Sequence, residues 1–185
     1  MLITTERLVL RRFREDDAAA LAAYRTLPEI ARYQSWEAPY SFEKALVAVE
    51  SMAHADPAQP GWFQYAIELA GRSAAGRELI GDVGVGLNDN LRQAELGFTL
   101  APAYHGRGYA SEAVRAVLGH LFRVQGLHKV SAECDARNLA SARLLERVGF
   151  VREGALRQHT WIKGEWTDDL LYGLLEADYF AASAG

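Results

Sequence analysis

A single cysteine, Cys134, stands among 185 residues. No disulfide can close within the chain, and no thiolate zinc cluster can be built. Cys134 sits in a strand-like run, KVSAECD, where a buried structural thiol is the common fate and a nucleophile the exception. Positive charge is also in short supply: 20 Lys and Arg face 24 Asp and Glu, a formal charge of −4. A non-specific nucleic-acid binder needs a basic surface, so that class is disfavoured. No apolar run approaches the roughly 20 residues that cross a membrane. The opening residues, MLITTERLVLRRF, carry charges inside their apolar stretch and show no cleavage pattern, so no signal peptide is expected and the cytoplasm is the default location. Repeats, linkers and charge tracts are missing, as is a phosphate loop of the form G-x-x-x-x-G-K-[ST].

What is present is the composition of one globular domain. Half of the residues are apolar and 24% are charged, which suits a single domain over 1–185 with a core from about 8 to 178. The organising stretch is 95–118, ELGFTLAPAYHGRGYASEAVRAVL. Glu95 to Leu100 alternates in the period of a strand. Pro102 stops the ladder, since proline has no N–H to donate. The apolar positions 113, 114, 117 and 118 then mark an amphipathic helix. Between strand and helix lies a loop with Gly106 and Gly108. Such a loop aims backbone N–H groups and the positive end of a helix dipole at one spot, which is an anion site. Two glycines in a strand-to-helix turn are also common without any ligand.

The remaining chain reads in order. A strand covers 7–13, followed by a helix over 18–24 with acidic residues before it. Residues 28–40 are irregular and aromatic, with Tyr33, Trp36 and Tyr40. Ser41 caps a helix running to about residue 54. Strands follow over 62–69 and 78–87, separated by a turn at 71–76. A turn at 88–90 leads to the strand that begins at Glu95. After the central helix come a strand over 128–134, a helix over 141–148 stopped by Gly149, and strands over 151–161 and 167–175 around a Lys163-Gly164-Glu165 turn. The order predicts a mixed α+β domain.

Two segments together point further. Gly108-Tyr109-Ala110 ends the loop. Asn138, Ser141, Leu144, Leu145, Gly149 and Phe150 form an N-x-x-S helix followed by G-F. The pair resembles the GNAT family of acyl-CoA-dependent N-acyltransferases, whose phosphate loop is [Q/R]-x-x-G-x-[G/A]. His105 departs from that loop's first position. The element order matches the family from end to end. Thr5-Glu6-Arg7-Leu8-Val9-Leu10-Arg11, Trp36, and Gly164 to Asp168 resemble the RimJ/RimL branch within it.

The resemblance implies a mostly antiparallel twisted sheet of six or seven strands, splayed at the cofactor site and flanked by about four helices. It implies acetyl-CoA as cosubstrate and no metal. The loop residues His105, Gly106, Arg107, Gly108, Tyr109, Ala110 and Ser111 would receive the pyrophosphate. The backbone of Phe98, Thr99 and Leu100 would pair with the pantetheine amides, between the strands holding Phe98 and Ala132. Asn138 would touch the cofactor arm, or serve as a turn residue. Ser141 would protonate the leaving thiolate, or cap its helix. Glu95 is the preferred general base, with a surface carboxylate as its plain alternative; Asp82 and Glu165 are weaker candidates. Tyr33 and Trp36 would line the acceptor channel, unless they are ordinary core. The implied acceptor is a protein N-terminal amine, as on a ribosomal protein. A small amine acceptor, a non-catalytic acyl-CoA-binding module and a ligand-free structural domain stay open beside it. A homodimer is expected from the same branch.

Overall fold

The computed structural model describes residues 2–71 and 78–183. The turn expected at 71–76 lies outside these residues, apart from Gly71. Eight strands form one sheet in the order β1-β2-β3-β4-β5-β6-β8-β7. They are β1 (Ile3–Thr4), β2 (Leu8–Arg11), β3 (Gly61–Leu69), β4 (Leu79–Leu87), β5 (Gln93–Leu100), β6 (Lys129–Asp135), β7 (Val151–Ile162) and β8 (Glu165–Leu175). The strand beyond the expected six or seven is β1, whose two residues pair with β2. Two residues are too few to carry a period. Every neighbouring pair is antiparallel except β5 and β6.

The helices are α1 (Ala18–Arg25), α2 (Pro28–Ala31), α3 (Phe42–His54), α4 (Tyr109–Arg123), α5 (Leu139–Arg147) and α6 (Glu176–Ser183). Two exceed the expected four. α2 is one turn opened by a proline inside the stretch read as irregular, and α6 follows β8 directly. Local chemistry explains most ends. The Ser41 hydroxyl accepts from the Lys44 N–H, and the Asn138 side chain accepts from the Ser141 N–H. Gly149, at φ 105, closes α5 in the left-handed conformation that suits glycine. Lys163 and Gly164 both have positive φ, the geometry of a two-residue hairpin turn between β7 and β8.

Strand alternation divides the two faces. In β4, Val83, Val85 and Leu87 point one way and Asp82, Gly84 and Gly86 the other. The apolar face meets α4 and α5. Val114, Val117, Leu118, Leu121 and Phe122 of α4, with Leu144 and Leu145 of α5, close a core with Val83, Leu96, Val130 and Tyr172. Each such buried side chain contributes about 1.5–3 kcal/mol relative to exposure. On the opposite face α1 and α3 bring Leu21, Tyr24, Ala45 and Val49 against Ala66 and Leu79. A buried ion cluster ties that layer down: Arg11 donates to both Asp17 oxygens at 2.7 and 2.8 Å and to Glu68 at 2.6 Å.

The sheet opens at its one parallel junction. β5 and β6 pair only at Gln93↔Lys129, Ala94↔Val130 and Glu95↔Ser131. From there β5 stays with β4 as far as Leu100, and β6 stays with β8 as far as Asp135. The two halves of the sheet diverge, and the expected splay lies between Phe98 and Ala132.

Candidate active site

Two cavities meet at this splay. The larger, about 810 Å³, is a groove beside the ends of β5, α4 and α5. The second, about 470 Å³, is a chamber over the glycine-bearing face of the sheet. Tyr33, Gln34, Phe98 and Thr99 line both.

The groove is mainly backbone chemistry. Gly106 and Gly108 take φ of 73 and 81, where a side chain is strained, and Gly108 precedes the first turn of α4. The first N–H groups of a helix have no partner within it, so this 15-residue helix presents donors and a positive dipole end to the groove. Glu112 sits in the same turn. Burial pushes its carboxyl up, but hydrogen bonds from Thr5 and Arg7 outweigh this and hold it below the ordinary value. Arg7 therefore cancels a charge that would repel an anion. It also donates to the Arg107 carbonyl at 3.0 Å and lies over the Tyr109 ring at 4.6 Å, bracing the loop.

Backbone direction decides which groups of β5 are free. A Cβ on Gly81 would run into the Thr99 carbonyl oxygen, so that carbonyl faces β4. In an antiparallel ladder the neighbouring residues then face the other way. Phe98 and Leu100 thus present N–H and C=O groups toward the splay. His105 Nε2 donates to the Leu100 carbonyl at 2.7 Å. This leaves the Phe98 N–H and C=O and the Leu100 N–H open to the groove, while Thr99 contributes to its wall but not its backbone hydrogen bonds.

Asn138 and Ser141 both line the groove. Asn138, not Ser141, is the cap of α5, and this frees the serine hydroxyl from that duty. The sequence leaves the choice open because Asn and Ser are equally good caps. Arg107 is absent from the groove wall; its side chain is exposed and lies 6.0 Å from the Tyr104 ring. Arg143 and Arg147 of α5 stand on the wall instead. Their spacing of four puts both on one face of α5, a signal present in the sequence but masked by the helix's stronger apolar pattern.

The chamber is built from side chains on six strands, with Thr160 and Ile162 of β7 among them. Register puts Trp62 and Gln64 of β3, Asp82 and Gly84 of β4, Glu95 and Gly97 of β5, Glu133 and Asp135 of β6 and Thr167 and Asp169 of β8 on one face. Glycine keeps the floor low. A Cβ at Gly84 would meet the Gln64 amide at 2.8 Å, and one at Gly86 the Trp62 ring at 2.9 Å. The 33–36 segment forms a wall. The Trp36 Nε1–H donates to the Arg25 carbonyl, and the Arg25 guanidinium lies 4.3 Å from the Trp36 ring centre. The β7–β8 turn is fastened nearby, where Lys163 donates to the Ala31 carbonyl.

The candidate carboxylates part ways here. Asp82 lines the chamber but is buried. Burial raises it, Arg25 counters that, and the Tyr24 hydroxyl donates to it at 2.5 Å. Glu165 is outside the chamber and pairs with Arg137 at 2.9 Å. Glu95 is exposed and lines the chamber where the splay begins. Cys134 is half-buried rather than fully buried, and lies on the chamber wall. Burial, with Asp135 and Asp169, pushes its thiol up to about 11, so it is protonated at neutral pH and a poor nucleophile. Glu133, His159 and Asp169 bring three donor atoms within 4.8 Å of one another. Sequence reasoning missed this group because its members come from three strands that only the sheet order makes neighbours.

Residues 7–151 match the model of the acetyltransferase (GNAT) domain. The chain belongs to that family. It is 32% identical over 176 residues to an uncharacterized N-acetyltransferase, YoaA, of Bacillus subtilis, covering 95% of this chain and 97% of that protein. Over 84 residues it is 32% identical to the [ribosomal protein uS5]-alanine N-acetyltransferase of Escherichia coli, 45% of this chain and 43% of the relative. The solved spermidine N-acetyltransferase of Vibrio cholerae, in complex with CoA and spermine, superposes with a TM-score of 0.78 at 27% identity, over 95% of this chain and 99% of that one. The protein is an N-acetyltransferase of the GNAT fold.

Proposed function

We propose that the groove holds acetyl-CoA and the chamber admits a primary amine, the two meeting at Phe98 and Thr99. The observation that carries this is the junction itself: one backbone segment lines a donor-rich groove on one side and an acidic chamber on the other. Bound there, acetyl-CoA supplies an acyl group activated as a thioester. The residues fit its parts. The loop 105–111 and the first turn of α4 offer N–H groups to phosphates, and Arg143 and Arg147 offer charge. The open Phe98 and Leu100 edge offers amide pairing to an extended arm, as a strand does to its neighbour. The open Phe98 N–H also offers a donor to oxygen charge that builds on the thioester carbonyl.

An amine is protonated in neutral water and attacks only after losing that proton. Glu95 is the proton acceptor in this reading, directly or through one water. The Ser141 hydroxyl, on the groove side, donates to the sulfur as it leaves. Holding both reactants across the junction supplies the rest through proximity, and no covalent enzyme intermediate is required. A protein N-terminus and a small amine present the same reacting group, and the relatives' names include both kinds of acceptor.

The test is a thermal melt followed by a thiol-release assay. At a hundredfold excess over Kd, acetyl-CoA stabilises the folded state by about 2.7 kcal/mol, several degrees in Tm. Thiol release then depends on added amine. An unchanged melt removes the cofactor reading; a shifted melt with no release on any amine leaves a binding module.

A further inference from the structure

Five carboxylates line the chamber: Asp82, Glu95, Glu133, Asp135 and Asp169. Two are accounted for. Asp82 is held by Tyr24 and Arg25, and Asp135 by Arg137 at 2.6 Å. Among the described residues no lysine or arginine pairs with Glu95, Glu133 or Asp169. Asp169 accepts from the Thr160 hydroxyl at 2.7 Å although it is only 4% exposed. Burial and the neighbouring charges of Asp169 and Glu95 push the Glu133 carboxyl up, with His159 opposing them. Like charges gathered in one partly enclosed site cost stability unless a cation offsets them. Across the chamber, on β3 beside Gly84, Gln64 Oε1 is enclosed and receives no hydrogen bond.

One carboxylate suffices to take a proton from an amine. The excess must serve something else, and its placement says what. Glu95 lies on β5, Glu133 on β6 and Asp169 on β8, three adjacent strands, with side chains on one face. Strand spacing of about 4.8 Å and a rise of about 3.3 Å per residue put the Cα of Glu133, two residues past Ser131 on the next strand, roughly 8 Å from that of Glu95, and the Cα of Asp169, opposite Asp135 one strand further, roughly 16 Å from it.

We infer that the chamber selects an acceptor bearing a second positive charge, seated on Glu133 and Asp169 while its reacting amine lies at Glu95. This rests on the acetyl-transfer reading above and narrows its acceptor to dications: a short diamine, or a polypeptide N-terminus with a lysine close behind it. The second cation relieves the repulsion among the three carboxylates and fixes the distance between the held group and the attacking nitrogen. A monoamine of the same length gains neither.

The experiment compares matched acceptors at saturating acetyl-CoA by thiol release. One arm sets 1,4-diaminobutane against butylamine. The other sets the peptide Ala-Lys-Ala-Ala against Ala-Met-Ala-Ala. The dication of at least one pair is expected to exceed its partner by about tenfold or more in kcat/KM, and the arm that shows it identifies the source. In the Glu133→Gln, Asp169→Asn variant that ratio falls toward one. Equal rates within both pairs in the unaltered protein overturn the second-charge inference and leave acetyl transfer standing. A ratio that survives in the folded double variant overturns the assignment to Glu133 and Asp169. Turnover of no acceptor, with no calorimetric heat when 1,4-diaminobutane is titrated into the protein–CoA complex, removes both readings.

Discussion

The groove and the chamber sit either side of one stretch of β5 and are made by different means. The groove draws on backbone: two left-handed glycines, a helix start and an open strand edge. The chamber draws on side chains from β3, β4, β5, β6, β7 and β8 over a glycine floor. Backbone donors serve any ligand with phosphates and amides, and they survive many side-chain changes. Side-chain walls can be recast residue by residue while the sheet stays intact. A donor site common to many chains beside an acceptor site peculiar to each is the natural result, and it is why fold alone does not name the acceptor.

If that contrast holds, damage to the two regions separates in kinetics. The largest effect is expected on the chamber side. Glu95→Gln should lower kcat by about 10²–10⁴-fold while acetyl-CoA binding stays as it was, because a general base acts in the transition state and not on the bound cofactor. Ser141→Ala, although on the groove side, should also lower kcat without loosening acetyl-CoA, because its hydroxyl acts on the departing sulfur and not on the bound cofactor. Stopped turnover with calorimetric Kd values checks both, and an unaltered kcat in Glu95→Gln would move the base elsewhere.

Next in size comes the groove. Gly108→Ala places a Cβ on a residue at φ 81, at a cost of about 1–2 kcal/mol for a left-handed L-residue. Acetyl-CoA affinity should fall about tenfold, with kcat at saturation near that of the unaltered protein. An affinity that does not change in the folded variant would mean the loop makes no close approach.

Smaller still is the charge term. Arg143→Ala should weaken acetyl-CoA by a few-fold, and added salt should shrink the difference, since exposed charges are screened within about 10 Å at 0.1 M. Arg107→Ala should change affinity less than Arg143→Ala does. The reverse order would return the phosphate contact to the loop side chain.

The smallest effect is on stability. Arg7→Met removes a half-exposed ion pair with Glu112 at 2.6 Å. Exposed pairs contribute about 0.2–1 kcal/mol, so Tm should drop by only about 1–3 °C. The loss should be largest near neutral pH. Glu112 titrates below its ordinary value when folded, so the pair's contribution is present above the ordinary carboxylate range and fades as pH falls through the lowered value. Melts at neutral and acid pH check the sign.

The sequence by itself determined the features that depend on near neighbours. The Glu95–Leu100 alternation, the left-handed glycines of the loop, the Ser41 cap and the Gly149 stop follow from φ/ψ limits and hydrogen bonds a few residues long. The family resemblance rests on the 108–110 and 138–150 segments together with the order of the elements. Only the tertiary structure decided what depends on strand order. It set Asp169 of β8 beside Glu133 of β6, left Glu95 open in the chamber while Asp82 went to Tyr24 and Arg25, and sent Glu165 out to Arg137. It turned the Thr99 carbonyl toward β4 and gave the Leu100 carbonyl to His105. It put Arg7 against Glu112, more than a hundred residues away. A strand's alternation says which residues share its face, but not which strand lies beside it, because pairing is settled by burial over the whole sheet.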